Sequence, residues 1–447
     1  MRFVRRTLRV VIVITIFLAS VIGMIDRSSF SQTEDYQAMM STLDHFDLNA
    51  TQGDSILQAG WAKVNITPSF PVKLVGYQPR GPHTAVHDSL YARVMYLKQG
   101  QQQVAIISLD LLIFPPLLRK ELAKRLPEIN FSIEQTYLSA SHTHTGFGGW
   151  DNSPLGGTLM GGYNQEIMEW LSERILQAIT QAKKVSTIAE LKYQKIPVEH
   201  FLENRLDKTH EVDHWIRLVQ VTQVERGKSG VLLSFSAHAT NINKNIHKLS
   251  GDYPNVWVNQ LEKDERVDFG MYCAGMVGSH RVKWMPHRDF EKAKLVGDTL
   301  AALTRSALAH TQELVPTDVG LKHIPVKLPA SQLRLTAGLK VRNWAFEALM
   351  GKLEAAVTVL KIGELVMIGM PCDFSGEIFV EQELDELFAK RNREVMITSF
   401  NGFYVGYITA DEHYNTKAKE EVRVMNWVGP NMGAYFTEII KKIAHQI

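Results

Sequence analysis

The sequence predicts an α/β protein, with a mixed sheet at the core and helices flanking it, built as a single large domain over residues 57–447. Three observations carry this reading. Short apolar runs, most of them rich in β-branched residues, alternate with amphipathic stretches along that whole length. No segment is rich enough in Gly, Pro or Ser to act as a dividing linker. Strand-like and helix-like segments intermix, which places helices against a sheet.

In chain order, strands are expected at Tyr91–Leu97, Val104–Leu111, Gln135–Ala140, Ile216–Thr222, Val231–Ala237, Val319–Val326, Val357–Lys361, Leu365–Met370 and Val395–Ser399. Each is a short apolar run, most of them bounded by Gly or polar turns. The pair 357–361 and 365–370, joined across Ile362-Gly363-Glu364, reads as a hairpin. Helices are expected at Leu117–Arg125, Gln165–Lys183, Val256–Lys263, Phe290–Ala309, Glu377–Arg391 and Met432–His445. In the second of these Ile167, Leu171, Ile175 and Ile179 recur at steps of four and share one face, with Asn164 placed to cap the N-terminus.

The N-terminus is different in kind. The first nine residues, MRFVRRTLR, hold four arginines and no acid, and the run from Val10 to Ile25 is uncharged. An arginine-tipped apolar run reads as an export signal, here as an uncleaved membrane anchor over residues 1–25 in preference to a cleaved signal peptide. Residues 26–56 are polar and read as a tether with room for one short helix. On this reading the rest of the chain lies outside the cytoplasm, periplasmic or extracellular, and would be secreted if the signal were cleaved.

With those four arginines set aside, the 49 Lys and Arg of the chain fall below its 47 Asp and Glu. A slightly acidic body offers no large positive face to a phosphate backbone, which excludes nucleic-acid binding. Cys273 and Cys372 have no cysteine neighbour in sequence and are expected as two buried thiols.

At four places an apolar run ends directly in a polar cluster able to bind metal. These are Tyr137-Leu-Ser-Ala-Ser-His142-Thr-His144, Leu232-Leu-Ser-Phe-Ser-Ala-His238, Met367-Ile-Gly-Met-Pro-Cys-Asp373 and Ile397-Thr-Ser-Phe-Asn-Gly-Phe-Tyr404-Val-Gly-Tyr407. Ligands gather where strands end in layered sheet proteins. Two imidazoles, a carboxylate and a phenol form a nitrogen and oxygen set that zinc accepts. Singly, each has a blander reading: His142 and His144 as solvated loop histidines, His238 as a hydrogen-bonded core histidine, Asp373 as a helix cap, and Tyr404 and Tyr407 as packing residues.

Several motifs follow one another in order: Leu57-Gln-Ala-Gly-Trp-Ala-Lys-Val-Asn-Ile-Thr-Pro68, Val75-Gly-Tyr-Gln-Pro-Arg-Gly81, His87-Asp-Ser-Leu-Tyr-Ala-Arg93, Ile107-Ser-Leu-Asp-Leu111, Ser139-Ala-Ser-His-Thr-His-Thr-Gly146, His238-Ala-Thr, Ser250-Gly-Asp252 and Tyr404-x-x-Tyr407. This order resembles that of the neutral/alkaline non-lysosomal ceramidases. The resemblance implies that residues 57–447 form a catalytic domain cleaving the amide bond of an N-acylated, ceramide-like lipid by a metal-activated water. It implies one zinc ion per chain on His142, His238, Tyr407 and Asp373, the last standing where the family has Glu, with Glu377 as the fallback. His144 and Arg205 resemble the family's pair beside the scissile amide, and Tyr404 is a further candidate near the metal.

The chain also departs from the pattern. The family's active-site serine falls on Gly278, with Ser279 one place off, and an expected Tyr-Glu pair falls on Lys419-Glu420. Two other readings therefore stand beside the first: a zinc hydrolase of a small soluble amide or ester, and an inactive lipid- or partner-binding protein on the same scaffold.

Overall fold

A computed structural model describes residues 2–48, 56–77, 80–314, 318–415 and 420–447 of the protein. Gln78 and Pro79 of one family-like motif, Lys419, and residues 49–55 of the expected tether lie outside the described residues.

Two sheets form the centre. The first has nine strands, with the order Val267–Ala274, Lys228–Phe235, Trp215–Gln223, Thr187–Pro197, Leu57–Asn65, Tyr91–Gln99, Gln102–Leu109 and Thr136–Ala140, and Gln312–Leu314 added beside Thr187–Pro197. The second has four, in the order Val319–Pro325, Ala356–Ile362, Leu365–Gly369 and Glu394–Thr398. The expected hairpin is present, pairing Ile362 with Leu365.

Strand periodicity explains how the layers stack. Val94 and Tyr96 face one core while Met95 and Leu97 face another, and Val366 and Ile368 divide from Leu365 and Met367 in the same way. Leu97, Ile106, Met367 and Met396 meet in the core between the sheets. The outer face of the first sheet is covered by helices Gln165–Lys184 and Asp252–Leu261, and that of the second by Met432–Gln446. Sheets buried on both faces read as near-continuous apolar runs, which is why most strands were legible. One large α/β domain of four layers results.

Four strands of these two sheets escape the apolar-run criterion: the three-residue Gln312–Leu314 and three longer ones. Leu57–Asn65 contains Gly60 and Lys63, Thr187–Pro197 alternates with charged residues, and Val267–Ala274 carries Asp268 and Gly270. Gly60 is needed where it stands: a Cβ there would lie 2.2 Å from the Ala182 carbonyl of the helix packed above. The expected helix Glu377–Arg391 is divided into Gly376–Glu381 and Leu384–Ala389, because Glu383 adopts φ 49°. Cys273 and Cys372 are buried free thiols.

The membrane-anchor reading, with its transmembrane helix and its membrane partner, is corrected here. Among the described residues no helix is long and apolar enough to cross a membrane. Helix Arg2–Val21 has 20 residues, and every 18-residue stretch of it includes Arg5, Arg6 and Arg9. Its charge-free part, from Val10 to Val21, spans only about 18 Å against a hydrocarbon core of about 30 Å. The apolar run then leaves the helix, and Ile22–Met24 pairs antiparallel with Leu339–Val341. Within the stretch read as a tether, Glu34–Asp44 forms a helix, capped by the Thr33 side chain, whose Met39, Met40 and Leu43 are buried in the core outside the second sheet.

Candidate metal centre

The four polar clusters meet. His142 follows strand Thr136–Ala140 and His238 follows Lys228–Phe235, both in the first sheet. Asp373 follows Leu365–Gly369 in the second sheet, and a short parallel bridge sets Asp373 opposite Tyr407. Strand ends from two packed sheets thus deliver four side chains to one point.

The two imidazoles are oriented alike. His142 Nδ1 lies 2.6 Å from the Leu112 carbonyl and His238 Nδ1 lies 2.6 Å from the Val277 carbonyl. A carbonyl oxygen only accepts, so each Nδ1 carries a proton and, in the neutral ring, each Nε2 is left as the acceptor. His142 holds φ 61°, a left-handed backbone costly for a branched ring-bearing residue, and its ring stacks on Phe400 with centroids 4.3 Å apart.

Those nitrogens face a carboxylate oxygen. Asp373 Oδ1 lies 3.3 Å from His142 Nε2 and 3.5 Å from His238 Nε2, and is buried without a hydrogen-bond donor among the described residues. The Tyr407 hydroxyl is 3.0 Å from His238 Nε2, and the Tyr404 hydroxyl donates to Asp373 Oδ2 at 2.7 Å. Burial, then the Arg205 guanidinium, holds His238 well below its ordinary imidazole range, so its Nε2 accepts from the Tyr407 hydroxyl and does not donate to Asp373. Neighbouring donors around a tetrahedral ion with bonds of ~2.0–2.1 Å stand about 3.3 Å apart, close to these separations. The residues therefore fit a divalent ion on His142, His238, Asp373 and Tyr407.

His144 and Arg205 flank this set. His144 Nε2 is 3.2 Å from His142 Nε2, its Nδ1 has no hydrogen-bond partner among the described residues, and burial, His142 and Arg205 together keep the ring well below its ordinary value. The Arg205 guanidinium lies over the Tyr407 ring at 5.9 Å. Both are half-buried, whereas the four ligand candidates are buried, so the His144 and Arg205 side is the open one.

Glu377 is elsewhere: it bonds Asn204 Nδ2 at 2.8 Å and His413 Nε2 at 2.7 Å. Ser279 Oγ accepts from the Glu377 amide at 3.1 Å. At Gly278 an added Cβ would lie 2.5 Å from the Asp373 carbonyl, so the backbone bearing Asp373 occupies the space a serine side chain would take. That close approach suits an aspartate, which reaches one methylene less far than a glutamate. His210, Glu412 and His413 were not legible as functional residues: His210 lies far in sequence from the adjacent Glu412-His413 pair, and no apolar run points to them.

Residues 57–279 match the sequence model of the family described as neutral/alkaline non-lysosomal ceramidase, N-terminal. Neutral ceramidase A of Dictyostelium discoideum is 23% identical over 220 residues, which cover 44% of this chain and 31% of that protein. The chain thus spans about a third of the length of the curated relative it matches. The fold superposes on the crystal structure of neutral ceramidase from Pseudomonas aeruginosa with a TM-score of 0.77 at 15% identity, covering 88% of this chain and 75% of that one. A structure of a ceramidase complexed with C2 gives a TM-score of 0.74 at 16% identity, with the same coverage of both chains.

Proposed function

The chain belongs to the neutral/alkaline non-lysosomal ceramidase family through residues 57–279, and we propose that it is a zinc-dependent hydrolase cleaving the amide bond of an N-acylated, ceramide-like lipid. The observation that carries the reading is the convergence of His142 Nε2, His238 Nε2 and the Tyr407 hydroxyl on Asp373 Oδ1, a buried carboxylate oxygen without a hydrogen-bond donor among the described residues. His142, His238, Asp373 and Tyr407 would hold the catalytic ion. When bound, it supplies Lewis-acid chemistry, polarising a carbonyl and lowering the pKa of a water to about 7.

The remaining steps belong to the chain. Arg205, on the open side over the Tyr407 ring, would stabilise the negative charge that builds on the amide oxygen. His144 is neutral at pH 7, with Nδ1 unpartnered, so it takes a proton during attack and returns it to the departing amine nitrogen. Tyr404 fixes the carboxylate by donating to Oδ2, leaving Oδ1 turned to the imidazoles.

Two expected results follow. Zinc-loaded protein incubated with a panel of N-acyl sphingoid bases, N-acyl ethanolamines and N-acyl amino acids should release fatty acid from at least one lipid, read by mass spectrometry. No release from any of them by folded, zinc-loaded protein would overturn the proposal. Tyr404→Phe should weaken zinc affinity roughly 10–100-fold, the usual cost of losing a partner behind a ligand; chelator competition measures it, and unchanged affinity would remove Tyr404 from the account.

A further inference from the structure

We propose that His210, Glu377, Glu412 and His413 form a second divalent-cation site, separate from the catalytic set. One ligand atom from each of the four lies within 4.8 Å of all the others. Glu377 Oε1 is 2.7 Å from His413 Nε2 and 3.0 Å from His210 Nδ1, and Glu412 Oε1 is 3.4 Å from His210 Nε2 and 3.8 Å from His413 Nε2. With His210 offering Nε2, the separations of 2.7, 3.4 and 3.8 Å bracket the ~3.3 Å expected between neighbouring donors on a tetrahedral zinc-class ion.

Charge supplies an independent argument. Glu377 is fully buried, and among the described residues its ion-pair partners are His210 and His413 alone, with no lysine or arginine. The Glu381 carboxylate stands 2.6 Å from the same His210 Nδ1, so one ring nitrogen with at most one proton faces two carboxylates. Hydrogen bonding to Glu381 raises the His210 ring, and Glu377 outweighs burial to raise that of His413, so protons balance part of this charge without metal and a divalent ion would displace them. A mixed imidazole and carboxylate set selects a borderline ion such as zinc or cobalt over magnesium or calcium.

The placement gives the site a role. His210 lies five residues after Arg205, Glu377 four after Asp373, and Glu412 and His413 follow Tyr407. An ion here ties together the three segments that carry Arg205, Asp373 and Tyr407. It is a positioning site.

The test counts metal by variant. Protein loaded with zinc or cobalt and dialysed, with magnesium as a control, is assayed for bound metal in the parent chain and in His142→Ala/His238→Ala. Adding His210→Ala, a half-buried change that leaves the core intact, should lower the count by one equivalent in each background and remove one cobalt absorption component; Glu377→Gln should do the same. A count unchanged by His210→Ala in both backgrounds would overturn the proposal. The outcome is independent of the catalytic reading: if the double variant loses nothing relative to the parent while His210→Ala still removes one equivalent, the catalytic set fails and this site stands.

Discussion

Asp373→Asn is expected to reduce hydrolysis by at least ~10³-fold and to remove the catalytic ion, while the fold stays intact. The side chain keeps its size and its bond from Tyr404, so packing is unchanged. What changes is the meeting point. An amide at 373 replaces a charged acceptor by a neutral group able to donate to His142 Nε2 and His238 Nε2, now 3.3 and 3.5 Å away. The ligand atoms that call for a cation become a closed hydrogen-bonded set. Losing a single donor to a developing oxyanion costs ~10²–10³ in rate, and losing the Lewis acid removes more. Fatty-acid release and metal content, measured together, check this. The metal-free variant should melt no lower than the metal-free parent, since a buried unsatisfied oxygen has been relieved. Activity within tenfold of the parent would contradict the ligand assignment.

The second large effect is on stability. Asp213→Ala should destabilise the protein by roughly 3–5 kcal/mol, because it leaves the Arg217 guanidinium buried without its counter-charge. Arg217 and Asp213 are 2% and 1% exposed in their side chains, with a forked pair of bonds at 2.7 and 3.1 Å. Ser236 Oγ donates to the same carboxylate at 2.6 Å, and Arg217 Nε donates across to the Val395 carbonyl of the second sheet at 3.1 Å. The pair therefore ties the two sheets beside the strand end that leads to His238.

The pH dependence has a definite sign. Burial alone would raise the Asp213 carboxyl, but the Arg217 charge and hydrogen bonds from Arg217 and Ser236 outweigh it and hold it below the ordinary carboxylate range. A depressed folded value gives stability that is present above the unfolded pKa of about 4 and is lost as pH falls through the folded value. Urea unfolding should show the full loss at pH 7 and a smaller gap between variant and parent below pH 3. A loss under about 1 kcal/mol at pH 7 would show that the pair does not hold the sheets.

Much of the site was legible because its residues sit where apolar runs stop. His142, His238 and Asp373 each follow a strand whose faces are both buried, and such strands announce themselves by continuous hydrophobicity. Other parts were hidden for physical reasons. Thr187–Pro197 alternates buried and solvated positions, so charged residues break up its apolar signal. The division of the helix after Glu381 rests on one left-handed residue, Glu383, of a type that gives no warning. The N-terminal run looked continuous to Ile25, yet tertiary pairing of Ile22–Met24 ends the helix early. The cluster brings His210 to Glu377 and His413, more than 160 residues further along the chain, as the Asn204 to Glu377 bond with a separation of 173 illustrates, and no local pattern encodes that.

The central claim is that His142, His238, Asp373 and Tyr407 hold the ion of a hydrolase. Anomalous scattering from crystals of the zinc-loaded protein, collected on either side of the zinc edge, tests it most directly. The account predicts a zinc peak within ~2.0–2.3 Å of His142 Nε2, His238 Nε2, an Asp373 carboxylate oxygen and the Tyr407 hydroxyl oxygen. Fully loaded crystals with no zinc peak among those four atoms would contradict it.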